Sequence, residues 1–174
     1  GLGDVYKRQG AGGVTVNALA ADANLSSVSA SGTVTANVAD NLDYSANTNI
    51  ATVDAFVIAA NKTGSFSAAQ GAKTITLGSG SIAKVIAASD ISGTTLSASV
   101  TKIDVSNSAT ASLSAAQAQK DITLGSGAVA KLKVSTGTDV SGLTFDSVLS
   151  VVIFSCGTLS VWSSLASGRV FIGG

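Results

Sequence analysis

The residues best placed to do chemistry are oxygen donors. Asp40, Asp43, Ser45, Asn47 and Asn49 crowd into one short stretch. From Asp43 to Asn49 the run D-x-S-x-N-x-N sets an oxygen at every second residue, as a calcium-binding loop does. Asp43, Ser45, Asn47 and Asn49 are therefore the candidate metal ligands, and calcium is the one cofactor expected to fit them. The run lacks the glycine that turns such a loop sharply and the glutamate that closes it. The competing expectation is a solvated turn whose Asn and Asp side chains bond nearby backbone.

The remaining candidates are weaker. Asp90, Asp104, Asp121 and Asp139 are scattered, and paired carboxylates can hydrolyse glycosides. No histidine or glutamate accompanies them anywhere in the chain. They read better as turn residues or as partners of Lys84, Lys102 and Lys131, in exposed pairs of small value. Serine is abundant, but without histidine no serine-hydrolase triad can form. The Gly-Ser-Gly steps at 78–80 and 125–127 lack the GK[ST] ending of a phosphate loop. Thr33-x-Thr35 and Thr74-x-Thr76 could build a flat hydroxyl face of the kind that binds ice, but such a face must persist from coil to coil, and 47 residues on from Thr74 stands Asp121; the β-propensity of threonine is the competing explanation. Asn24-x-Ser26 and Asn61-x-Thr63 are N-glycosylation sequences in a suitable host. Cys156 is the only cysteine, so there is no internal disulfide, and it fits no zinc or redox spacing. No catalytic residue is expected, and the chain does not read as an enzyme.

The elements that must position these groups announce themselves by repetition. Residues 65–84, SFSAAQGAKTITLGSGSIAK, align without a gap on residues 112–131, SLSAAQAQKDITLGSGAVAK, 47 positions later. Smaller apolar triplets recur inside that period: Val53-Phe56-Ile58, Ile82-Val85-Ala87, Val100-Ile103-Val105, Val129-Leu132-Val134 and Val148-Val151-Ile153. Their last two positions alternate as in a half-buried strand. Second strand signals lie between them at Phe66, Leu113, Ile75-Leu77 and Ile122-Leu124. Gly, Ser, Asn, Asp and Thr fill the gaps as turn formers. Hydrophobic residues make up 45% of the chain but aromatics only 5%, which suits a narrow interior filled by small aliphatic side chains. One unit cannot bury its apolar side alone, whereas stacked units can.

The expected fold is all-β: a β-solenoid of stacked coils, with each 47-residue period forming two unequal coils. Ladders of like residues, Val over Val or Ser over Ser, should follow. The alternative is a β-sandwich in each repeat. Gly78, Gly80, Gly125 and Gly127 are expected at corners with positive φ. Ala115–Lys120 and Ala18–Leu25, both Ala-rich, are expected as single helical turns.

The organisation reads as residues 10–52, an irregular and truncated first repeat; 53–99 and 100–147, two full repeats; and 148–174, a diverged third repeat or a frameshifted tail. At an offset of 95, Thr158-x-Ser160-Val161 falls on Thr63-x-Ser65-Phe66, and Val170-x-Ile172 falls on Ile75-x-Leu77. Residues 1–9, GLGDVYKRQ, match nothing downstream. DVYKRQ, residues 4–9, resembles a translated transposon-end adapter from sequencing libraries, so this stretch is set aside as an assembly artefact. With no methionine present, the chain reads as a piece of a longer protein.

The units NIATVDAFVIAANKTGSFSAAQ and VTKIDVSNSATASLSAAQAQKDITL resemble the β-strand repeats of very large bacterial surface and secreted proteins, the adhesin-like or haemolysin-type repeat proteins. The resemblance spans roughly residues 10–150. It implies an extracellular or cell-surface setting and a structural spacer or stalk that performs no catalysis. Its partners would be neighbouring repeats of the same chain, with a cell-surface glycan or protein beyond them. The glycine- and aspartate-rich calcium nonapeptide found in such proteins is absent here. A binding module using a solenoid face for carbohydrate, ice or calcium is the alternative. Net charge is zero with no basic cluster, which excludes a nucleic-acid partner, and no apolar run reaches membrane-spanning length.

Overall fold

The computed structural model describes residues 12–135 and 143–155. In chain order the strands are β1 (Val14–Val16), β2 (Val34–Val38), β3 (Leu42–Asp43), β4 (Ala55–Ile58), β5 (Thr63–Phe66), β6 (Thr74–Leu77), β7 (Ile82–Ala87), β8 (Val100–Val105), β9 (Thr110–Leu113), β10 (Asp121–Leu124), β11 (Val129–Ser135) and β12 (Leu149–Ser155). Two single-turn helices interrupt them, α1 (Ala68–Gly71) and α2 (Ala115–Ala118). The chain is a parallel β-solenoid. All the strand pairs described are parallel, which removes the β-sandwich, a fold of antiparallel strands.

The chain forms two compact units: Gly1–Val85 with Leu96–Thr101, and Ile86–Thr95 with Lys102–Gly174. In the first, β1, β2, β4 and β6 make a four-stranded sheet in that order, while β3, β5 and β7 pair side by side. In the second, β8 pairs with β10, and β9, β11 and β12 make a three-stranded sheet.

The register corrects the coil assignment. Ala55 pairs with Thr74, Thr63 with Ile82, Lys102 with Asp121 and Thr110 with Val129, each 19 residues apart. The apolar triplets spaced by 29 residues do not stack on each other, whereas two spaced by 18 meet at Ala87 and Val105, where the Ser106 N–H donates to the Ala87 carbonyl at 2.9 Å. β4 lies against β6, and β7 lies against β5, because each coil carries two inward-patterned strands and the triplets mark only one of them. The 47-residue period instead reproduces a pairing: Phe56 over Ile75 recurs as Ile103 over Ile122, and Phe66 over Val85 as Leu113 over Leu132. The inward rungs are apolar throughout. Like residues meet at some rungs, Val14 over Val34, Thr15 over Thr35 and Ser135 over Ser155, while others are mixed; Lys102 faces Asp121, and Val57 faces Thr76.

The core is fully buried at Phe56, Ile58, Phe66, Val85, Ile103, Leu113 and Leu132. Each such side chain stabilises the coil by about 1.5–3 kcal/mol. Three of the few aromatics gather in the first unit. Phe56 and Phe66 have ring centroids 4.8 Å apart, and Tyr44 stacks on Phe66 at 5.8 Å.

Two local expectations change. Gly80 and Gly127 have positive φ, +67° and +68°. Gly78 and Gly125 do not. They are glycines because the adjacent coil passes too close: a Cβ on Gly78 would lie 2.6 Å from the Ala60 nitrogen, and one on Gly125 would lie 2.7 Å from the Asn107 nitrogen. Ala115–Ala118 is helical as expected, but Ala18–Leu25 is not. There the Leu19 N–H donates to the Asn37 carbonyl at 2.8 Å and the Leu25 N–H to the Asn49 carbonyl at 3.0 Å. Bonds to the next coil displace the weak helical preference of alanine.

In β12 the spacing of Val148-Val151-Ile153 leads to a different register. Leu132 and Val134 pair with Val152 and Phe154, after a one-residue shift at Ala130/Lys131. Val151 and Ile153 stand opposite Lys131 and Lys133.

Candidate functional site

The oxygen cluster is dispersed by its own hydrogen bonds. Asp43 Oδ1 accepts the Ser45 N–H at 2.8 Å, a local turn. Asn47 Oδ1 accepts the Asn49 N–H at 2.9 Å and so caps the single 3-10 turn Thr48–Ile50. The Asn47 amide nitrogen donates to the carbonyls of Ala21 and Ala23, each at 2.9 Å. Asp40 pairs with Lys62 at 3.0 Å. Of the candidate ligands, Asp43 and Asn47 thus bind backbone through their side chains, while Ser45 and Asn49 supply the N–H groups they accept, which is the geometry of a capped turn. Among the described residues no three His, Cys, Asp or Glu side chains come together in a metal-holding group.

What the coil does with polar side chains is clearest at two glutamines. Ser67 opens α1 and Ser114 opens α2, each in a capping box with Gln70 or Gln117. The Gln70 oxygen accepts the Ser67 N–H at 2.9 Å. Its nitrogen donates to the carbonyls of Tyr44, at 3.0 Å, and Asn47, at 2.8 Å. Gln117 does the same toward Ile91 (2.9 Å) and Thr94 (2.7 Å). Both side chains are buried. One amide therefore ties a corner helix to a loop more than twenty residues earlier. Sequence reasoning read AAQAQK as a helical turn and assigned its glutamine nothing. The signal was the SAAQ motif standing at the same place in both repeats.

A second series also escaped the sequence reading. Thr52, Ser99 and Asp146 are spaced by 47 residues. Thr52 Oγ1 donates to the Leu25 carbonyl at 3.0 Å and Ser99 Oγ to the Ile75 carbonyl at 2.6 Å, while Asp146 accepts the Ile122 N–H at 3.0 Å. Lys73 donates its ammonium to the carbonyls of Ala51, at 2.7 Å, and Val53. Among the described residues no buried side-chain nitrogen or oxygen lacks a partner.

Two of the carboxylates expected near lysines are found there, Asp121 and Asp90. Asp121 meets Lys102 at 2.6 Å. Asp90 meets Lys133, a lysine outside the three expected as partners, at 2.8 Å. The Lys133 bond, helped by the Ser92 hydroxyl and backbone N–H, holds the Asp90 carboxyl down at about 2. The bond from Asp121 raises Lys102, whereas burial lowers Lys120. Burial and then the Asp40 charge push the Tyr44 phenol up to about 12, and its hydroxyl donates to the Leu19 carbonyl at 2.7 Å. Asp104 lines a shallow groove of about 400 Å³ in the second unit, with Ile86, Asn107, Thr123 and Leu124. Asp139 and Cys156 lie outside the described residues.

The threonines fall differently from the expectation that Thr74 must be followed by its counterpart 47 residues on. Across the four-stranded sheet the rung runs Thr15, Thr35, Ala55, Thr74, and the next holds Asn37, Val57 and Thr76. Thr33 stands just outside β2 and is exposed. β1, β2, β4 and β6 carry no charged residue, whereas β7, β8, β10 and β11 all do.

No protein-family model, curated protein or solved structure matches this chain.

Proposed function

We propose that this chain is a structural spacer from an extracellular, bacterial adhesin-like repeat protein, and that it performs no catalysis. The observation that supports this is the use made of the polar side chains. Gln70, Gln117, Asn47, Thr52, Ser99, Lys73 and Asp146 all bond the backbone of another coil. Groups that a binding or catalytic site would aim at a ligand are here aimed at the next turn of the chain. Such bonds, each worth about 1 kcal/mol net, add to the backbone ladders and stiffen the coil.

The test places the chain between a surface anchor and an epitope tag and inserts extra copies of residues 53–99. A spacer should lift the tag by about 10 Å per copy, two coils at about 4.8 Å each. Unchanged height would sink the reading.

A second reading, a binding module, draws on the uncharged four-stranded face with Thr15, Thr35 and Thr74. Its test is a glycan array and an ice-recrystallisation assay on the wild-type chain and on Thr35→Lys. Activity lost in the variant, with unchanged melting, would favour it over the spacer.

A further inference from the structure

The chain holds two Asn-x-Ser/Thr sequences, at Asn24-Leu25-Ser26 and Asn61-Lys62-Thr63. The fold treats them differently. Asn24 and Ser26 are exposed, and Leu25 between them is buried at 7% exposure. Leu25 is pinned on both sides: its N–H donates to the Asn49 carbonyl at 3.0 Å, and its carbonyl accepts from the Val28 N–H at 2.9 Å and Thr52 Oγ1 at 3.0 Å. Asn24 Oδ1 accepts both the Ser26 N–H, at 3.1 Å, and the Ser26 hydroxyl, at 2.7 Å. A backbone N–H can only donate, so the oxygen end of the carboxamide must face Ser26 and the nitrogen end must face away. The hydroxyl bond polarises the carboxamide and makes its Nδ2 protons easier to remove.

Asn61 has none of this. Its backbone is left-handed, φ +58°, and its N–H donates to the Ser79 carbonyl at 2.9 Å. Its Oδ1 lies only 2.5 Å from where a Cβ on Gly80 would stand. The Thr63 N–H, which would have to turn back to Asn61, instead donates to Asn41 Oδ1 at 2.7 Å, and Thr63 is paired with Ile82 in β5.

We propose that Asn24 is an N-glycosylation acceptor in the folded protein and that Asn61 is not. The donor class is a nucleoside-diphosphate hexose presented by a glycosyltransferase that reads Asn-x-Ser/Thr. Asn24 Nδ2 forms a bond to the anomeric carbon of the hexose as the bond from that carbon to the phosphate oxygen breaks. The nucleoside diphosphate leaves, and the Nδ2 proton passes to a base of the transferase. No redox change occurs.

The experiment incubates the full chain with a soluble transferase of this class and its nucleotide hexose, once folded and once in urea that the enzyme tolerates. Intact mass and peptide mapping read the products. The folded chain should gain one hexose, on Asn24. Asn24→Gln and Ser26→Ala should abolish the gain, Ser26→Thr should keep it, and Asn61→Gln should leave it unchanged. Preference for Asn24 over Asn61 should be at least about tenfold in the folded chain, the ratio that about 1.4 kcal/mol of preorganisation supplies. It should shrink toward unity when the chain is unfolded. No transfer to the folded chain, transfer mainly to Asn61, or the same preference in both states would each overturn the proposal.

Discussion

Replacing Gln70 with leucine tests whether the amide clamp holds the first unit together. Leucine keeps most of the volume but makes no hydrogen bond. Three partners lose a bond: the Ser67 N–H and the carbonyls of Tyr44 and Asn47. The contact with Tyr44 is buried; those with Ser67 and Asn47 are part-buried, so water can reach them. One buried orphan costs about 1–3 kcal/mol and two water-accessible losses about 0.5–1 kcal/mol each, so Gln70→Leu should destabilise by about 2–5 kcal/mol. Gln70→Glu should be worse at neutral pH, because a carboxylate would then face two carbonyl oxygens. Those neighbours raise the pKa of the new acid in the folded state. Its stability is therefore highest below the unfolded value of about 4.3 and is lost as pH rises through the folded value. Urea titrations at pH 4 and pH 7, read by circular dichroism with the m-value checked for constancy, measure both effects. Gln117→Leu, whose contacts to Ile91 and Thr94 are equivalent, should cost the second unit a similar amount. A loss below about 1 kcal/mol for Gln70→Leu, or no pH dependence for Gln70→Glu, would refute the reasoning.

Other outcomes follow from the same geometry. Gly78→Ala should lower stability by more than about 2 kcal/mol, since its Cβ meets backbone that cannot swing aside, whereas Gly93→Ala, where nothing lies within 4 Å, should be near neutral in thermal melts. Ser108 sits at φ +57°, so Ser108→Gly should raise stability by up to about 1 kcal/mol, the left-handed strain relieved less the added entropy of the unfolded chain. The Asp90 carboxyl, followed by NMR, should titrate near 2 and rise in Lys133→Met. Because its folded pKa is depressed, its contribution is present above the unfolded value of about 3.9 and is lost as pH falls toward 2. The pair is largely exposed, so that contribution stays below about 1 kcal/mol.

The sequence alone determined the all-β class, the repeat, most strand positions and the inward residues. Phe56, Ile58, Ile103, Val105, Leu132 and Val134 are legible because a strand alternates faces with a period of two and its apolar side must be buried. The Ser67 and Ser114 caps were also implicit, in a motif that appears twice. Which strands touch was decided only in three dimensions. A 47-residue repeat says that two segments have the same shape. It does not say that they are neighbours, and the paired strands prove to be offset by 19 residues in β4–β6 and β8–β10, by 20 in β1–β2 and by 22 in β3–β5. The same limit hid the roles of Gln70, Asp146 and Gly78. Each is set by the backbone of another coil: two carbonyls to be joined, an N–H to be accepted, and an approach too close for a methyl group. Asp43, Ser45, Asn47 and Asn49 show the converse. Their spacing suits a cation, but Asp43 Oδ1 and Asn47 Oδ1 accept N–H groups of their own turn, and the Asn47 amide nitrogen ties that turn to Ala21 and Ala23. Local pattern fixes which groups a residue brings, and coil-to-coil stacking fixes what they meet.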